Sequence, residues 1–396
     1  MAIRWQGEGG QHQGARPYQE DSWRLVTLGD GSLLAAIDQT IVGTAEPRII
    51  ASLQGFDRYP WVATIYLLSS TVSVPIFASL SDRLGRKPVM VTALVLRAAV
   101  FVAMGRAVYT AKSQRNYGVP PLMLALGAAN ALFLWAIWQG QDYASLLQRF
   151  DTGLLCMALI ALLVARRVIP FFATKAIAGL QIPMHVQSGH VQLAVGVLAL
   201  LCSLLAWALP MALFLAIAGL LALWQVLAWQ PWAVRKVPLL WVLYVGYAAL
   251  GLGLIVAALQ VLPSAWTGLQ LRSAWPVHII GVGGFAVLVI GMITRTALGH
   301  LGHPLKADRL MVVCYGLVIA AALLRLVALA LLGQVGQGVY AAVLYASACS
   351  WSLAFALYLW RFVPMLIRPR LHPPPLAGAK LGQGKPITLR PADKKA

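Results

Sequence analysis

Apolar residues in this chain neither alternate with polar ones nor recur every third or fourth position. They run in blocks of about 20, the length that crosses a hydrocarbon layer of roughly 30 Å as a helix. The blocks cover Leu25 to Thr44, Trp61 to Leu80, Val89 to Tyr109, Val119 to Trp138, Thr152 to Phe172 and Val191 to Leu209. They continue over Met211 to Trp229, Pro238 to Leu262, Val277 to Thr296, Met311 to Leu332 and Val339 to Val363. Backbone groups in lipid must be satisfied within the segment, and the alternation of a barrel strand is absent. The pattern predicts an all-α fold, a polytopic transmembrane bundle of about 10–11 helices.

Composition removes the soluble alternatives. Of 396 residues, 60% are apolar and 11% charged, against about 25% charged in an average soluble chain. The four cysteines, Cys156, Cys202, Cys314 and Cys349, lie singly inside apolar blocks and read as small packing residues. The first 22 residues lack the apolar core of a cleavable signal and read as a polar disordered tail. Beyond Arg370 a Pro-, Gly- and Lys-rich stretch reads as a solvated basic tail. Its Gly378, Gly382, Gly384 and Lys385 do not make a phosphate loop: the spacing is wrong and Pro386 stands where Ser or Thr belongs.

Charge then orients the bundle. The net +19 comes from 31 Lys and Arg against 12 Asp and Glu, and the cations sit in loops between apolar blocks. This placement suits cytoplasmic loops facing anionic headgroups, with a lipid bilayer and not nucleic acid as the partner. QPWAVRKVP, TRTALGHLGHPLKADR and the C-terminal tail are separated by even numbers of blocks, as are RRVIPFFATK and the loop ending in YTAKSQRN. All five, and with them the C-terminus, are expected on the cytoplasmic side. SDRLGRKP, one block away from YTAKSQRN, breaks the order. Either a positive loop is translocated, which the rule tolerates, or a seam between two unrelated sequences lies near residue 89.

Two resemblances meet at that seam. LLAAIDQTIVGTAEPRI and PIFASLSDRLGRKPV, within about 28–89, resemble the opening helices of major facilitator superfamily multidrug:proton antiporters. The resemblance implies a transport role for Asp38 in the first helix and for Asp82, Arg83 and Arg86 in the following loop. Ala78 and Glu46 depart from the usual pattern. An intramembrane Asp38 is expensive and marks a cation path in its own right. No second transporter half is recognisable after Val89, and no Asp or Glu occurs between Thr152 and Ala307.

From about Leu94 to Arg370 the chain resembles the NnrS family, through VHIIGVGGFAVLVIGMITRTALGHLGHPL and, in support, ARRVIPFFATKAI and LAFALYLWRFVPMLIRPR. The resemblance implies a bacterial inner-membrane protein that binds haem and copper and acts in nitric oxide or metal stress. Residues His278, Arg295, Gly299, His300 and Gly302 carry the motif. Tyr244, where the family favours His, and His303, in place of a usual Arg, depart from it. The family's N-terminal helices have no counterpart, and the antiporter-like hairpin stands in their place.

Neutral imidazole is a good ligand for haem iron and copper. His278 and His300 lie at opposite ends of one block, about 33 Å apart at 1.5 Å per residue, so they cannot share a metal. His278 and His300 are therefore candidate cofactor residues. Arg295 is a candidate fork for a haem propionate, with snorkelling to phosphates as the alternative. His185, His190, His300 and His303 share the basic end, where they are candidate metal ligands along with His278 at the other. His185 and His190 lack the i, i+4 spacing of two ligands on one helix face. The glycines after His278 admit either a neighbouring helix or a flat macrocycle. Acids are too scarce for hydrolytic chemistry, so an enzyme is not the expectation.

The organisation read from sequence is a tail at 1–22, an antiporter-like hairpin at 23–88, an NnrS-like bundle at 89–366 and a basic tail at 367–396. The leading expectation is a haem- and copper-binding membrane protein with a grafted transporter-like N-terminus. The alternative is a multidrug:proton antiporter or a fragment of one.

Overall fold

The computed structural model describes residues 117–367 except 184, 264–265, 267 and 269–270, together with 102–103, 105–106 and 108–110. Asp38, Asp82, Arg83 and Arg86, the charge conflict near residue 89, and both tails lie outside the described residues.

Eight helices among the described residues are long and apolar enough to cross a membrane. They are α1 (Val119–Trp138), α2 (Tyr143–Ala176), α3 (Val186–Leu204) and α4 (Ala208–Ala228). Then follow α5 (Pro238–Val261), α6 (Ala274–His278, Ile279–Ala286 and Val287–His300 in one run), α7 (Arg309–Leu331) and α8 (Gln337–Ile367). Every block predicted after Tyr109 is matched by one of them. The blocks under-read α2, which is 34 residues long and so about 51 Å. Its first turns, YASLLQRFD, are amphipathic and escape a hydropathy criterion, yet Asp142 starts them, accepting a bond from Ser145 Oγ at 2.6 Å.

Short connections make successive helices antiparallel, so the ends of the bundle alternate. One end gathers Lys175, Arg235, Lys236, Lys306 and Arg309 with the loops that bear His185 and His303. The other holds the starts of α2 and α6 and the turns 205–207 and 332–336. Tryptophans mark both rims, with Trp138, Trp207 and Trp232 exposed, as amphipathic rings do at membrane interfaces.

Helix α5 is the axis. It packs against α2, α4 and α6, and 61% of its most apolar stretch is buried, against 11% for α8 at the periphery. Small residues bring it close to its neighbours, as expected where lipid supplies no hydrophobic drive between helices. A Cβ on Gly219 of α4 would stand 2.6 Å from the Gly251 carbonyl oxygen of α5. On the other side, Gly246 and Gly253 receive Leu288 and Ile280 of α6, while Gly284 and Gly291 receive Leu250 and Leu243 of α5. Large exposed side chains such as Leu220, Leu323, Leu359 and Trp360 cover the outside.

The outer pair, α7 and α8, is fastened at two depths. Ser347 donates to the Ala321 carbonyl at 2.8 Å within the apolar layer. At the basic end Arg361 Nε meets Asp308 Oδ2 at 2.6 Å. Asp308 also caps α7, its Oδ1 accepting from the Met311 N–H at 2.9 Å.

Candidate functional site

Helix α6 holds the motif residues, and its backbone is not uniform. After Ala274–His278 the helix widens into an eight-residue π segment, Ile279–Ala286, before regular α geometry resumes. Such segments are rare and frequently accompany functional sites. They insert residues without breaking the helix, which re-aims the side chains at the segment's start.

His278 stands at that start, half-buried. Arg325 of α7, near the same end of the bundle, donates from Nε to His278 Nε2 at 3.4 Å. Three residues on, Gly281 has no atom within 4 Å of where a Cβ would lie, whereas at Gly284 a Cβ would collide with Leu250. The two readings of the glycine run thus divide between residues: Gly284 admits a helix, and Gly281 leaves open space beside His278.

The remaining motif residues are elsewhere. Arg295 lies about 25 Å further along α6, too far to grip a group held by His278. It does not snorkel: it is buried, with its guanidinium carbon 3.9 Å from the centre of the Phe172 ring of α2, a cation–π contact. His300 closes the helix. Gly302 follows at φ +74, while the His303 N–H bonds the Leu298 carbonyl at 2.9 Å and the Gly302 N–H bonds that of Gly299 at 3.2 Å. This paired closure is a Schellman cap, so Gly302 is required by the backbone conformation. His185 is exposed and its ring lies 5.0 Å from that of Trp224. His190 is exposed on α3 and His303 is half-buried in the following loop. Among the described residues no three His, Cys, Asp or Glu side chains are placed to hold one metal ion.

Tyr244, standing where a histidine was expected, donates to the Trp229 carbonyl at 3.0 Å and ties α5 to the end of α4. One turn on, fully buried Tyr247 donates to Gln225 Oε1 at 2.5 Å and lies 3.4 Å from Gln192 Oε1. Gln225 Nε2 donates to Ser188 Oγ at 3.3 Å, and Gln192 Nε2 to the Ala218 carbonyl at 3.4 Å. Arg166 lies across Gly189, where a Cβ would overlap its guanidinium. This polar knot of α2, α3, α4 and α5 was missed from sequence. The available signal was two glutamines inside otherwise apolar blocks, each obliged to find a partner.

Outside the spans, burial would raise the Asp308 carboxyl, but the Met311 N–H and Arg361 outweigh it and hold the group below its ordinary value.

Comparison with known proteins decides the family. The NnrS protein family model matches residues 48–370. The chain belongs to the NnrS family. The match starts well before residue 94, where the motif strings placed its onset. Short similarities to transporters accompany it. The multidrug transporter protein MdtP of Bacillus subtilis is 45% identical over 73 residues, 18% of this chain and 14% of that protein. Multidrug resistance protein 3 of the same organism is 41% identical over 71 residues, 17% of this chain and 14% of that protein. The MFS-type efflux pump MMF1 of Pseudozyma antarctica is 37% identical over 90 residues, 22% of this chain and 17% of that protein. The chain thus spans under a fifth of each transporter's length. No solved structure matches it.

Proposed function

We propose that this NnrS-family protein binds haem at the end of the bundle marked by His278, in a bacterial inner membrane with its C-terminus cytoplasmic, and serves the response to nitric oxide or metal stress. The single supporting observation is the His278–Arg325 contact beside the open face at Gly281. An imidazole nitrogen, a guanidinium within reach of it and a bare strip of helix suit an axial ligand, a propionate partner and a flat ring. His278 would hold the iron through the Nε2 lone pair that now accepts Arg325, and Arg325 would turn to a propionate. Haem bound there supplies an iron centre that takes up diatomic gases. Stress function and location rest on the family resemblance.

Copper enters through the resemblance alone; of its candidate ligands His185, His190, His278, His300 and His303, no three among the described residues are placed to hold one ion, and no step is routed through it. The transporter-like residues are read as a grafted N-terminal hairpin at 23–88, the second half of which the NnrS family match at 48–370 overlaps. Antiport gains little from residues 152–307, which contain no Asp or Glu.

Protein purified with haem supplied during expression and scored by the pyridine haemochrome assay tests the reading. Wild type is expected to carry haem and His278→Ala to lose it. Haem-free wild type, or equal haem in His278→Ala, would overturn the assignment.

A further inference from the structure

At the end of the bundle away from the basic loops, the first turns of α2, the turn between α3 and α4, the last turn of α5 and the start of α6 line a half-open cavity of about 400 Å³. This lies within the 300–1,000 Å³ range usual for small-molecule sites. Asp151 lines it, and its Oδ1 is buried without a hydrogen-bond partner among the described residues. Asp151 ends the amphipathic first turns of α2, at the edge of the apolar stretch, where a buried carboxyl oxygen without a partner is costly unless something compensates it.

The other polar groups on the wall are Gln148, Gln260, Ser203 and Ser273, all able to accept hydrogen bonds, and among the described residues no Lys, Arg or His lines the cavity. The wall is ordered: Thr152 and Ser203 share a hydroxyl bond of 2.9 Å, and Gln148 Nε2 donates to the Ser203 carbonyl at 3.4 Å. Apolar side chains, including Leu154, Leu155, Met211 and Ile280, complete it. Pro276, Val277 and Ile280 of α6 face this cavity, while His278 between them reaches Arg325. The two sites therefore stand back to back on one helix, and the cavity is separate from the haem reading.

We infer that this cavity binds a small amphipathic amine, its ammonium group on Asp151 and its hydrocarbon body along the apolar wall. Asp151 is the one ionisable group on the wall, and with several acceptors and no competing cation among the described residues it selects a single positive charge bearing N–H donors. The predominantly apolar lining selects an organic body over a hydrated metal ion.

Full-length protein in nanodiscs, titrated calorimetrically with n-hexylamine against protein-free nanodiscs, provides the test, with n-hexanol and hexanoate as neutral and anionic counterparts. Saturable binding of hexylamine alone, weakened at least about tenfold in Asp151→Asn, is the expected result. No saturable binding, equal binding by Asp151→Asn, or equal binding of hexanol would overturn the inference. Ala144→Phe, at an exposed position on the cavity wall, is a second variant. It blocks hexylamine if the cavity is the site, and unchanged binding rejects the site. Haem content has no part in this readout, so its outcome is independent of the haem assignment.

Discussion

Arg325 donates to His278 across 3.4 Å, joining residues 47 positions apart in the chain and on different helices. The contact puts a guanidinium beside His278, whereas Arg295, the propionate fork considered from sequence, lies about 25 Å further along α6. Arg325→Gln should therefore weaken haem retention about tenfold, equivalent to the ~1.4 kcal/mol of a charge-assisted contact. Arg295→Gln should leave retention unchanged. Haem transfer to apomyoglobin, followed by absorbance, measures both; the opposite ranking would return the role to Arg295.

Gly281 and Gly219 should respond oppositely to the same substitution. At Gly219 a Cβ would meet the Gly251 backbone oxygen at 2.6 Å, and backbone cannot rotate away. Gly219→Ala is expected to cost about 1–3 kcal/mol by overpacking and lower the melting temperature in detergent. Gly281→Ala enters open space and should leave it unchanged.

Tyr247→Phe removes the hydroxyl that satisfies Gln225 inside the bundle. The loss leaves a buried carboxamide oxygen short of a donor, a penalty of about 1 kcal/mol. Thermal unfolding should show it, while Tyr244→Phe should show a similar loss through the Trp229 carbonyl.

Asp308 links α7 to α8 through Arg361, and its carboxyl is held below the ordinary value. A depressed folded-state value means that the carboxylate's stabilisation is complete above the unfolded value of about 3.9 and is lost as pH falls through the folded one. Wild-type melting should be level near neutrality and fall on acidification. Asp308→Asn keeps a capping side chain but should lose part of that acid sensitivity. Both partners are more than a third exposed, so the neutral-pH cost of Asn should stay within about 1 kcal/mol. Asp308→Ala, which also removes the cap, should cost about 1 kcal/mol more.

The eight described spans were legible because hydropathy is a local sum: some twenty residues suffice to decide whether a segment enters lipid, whatever surrounds it. The motif on α6 was legible for the same reason, as a contiguous string. The rotation of each helix about its own axis was not legible. Helices that are apolar all round carry little periodicity to say which face turns inward, so the partners of His278 and Tyr247 and the surroundings of Asp151 could not be read off. Nor could spacing say that Arg295 packs on the Phe172 ring or that Gly302 in the motif closes a helix. By itself the sequence determined an all-α membrane bundle, its span order and its family. Tertiary structure decided the π segment, the glycine interlock around α5, the His278–Arg325 contact and the cavity at Asp151. Each of these depends on how helices distant in sequence turn toward one another, a matter of packing that no local sum contains.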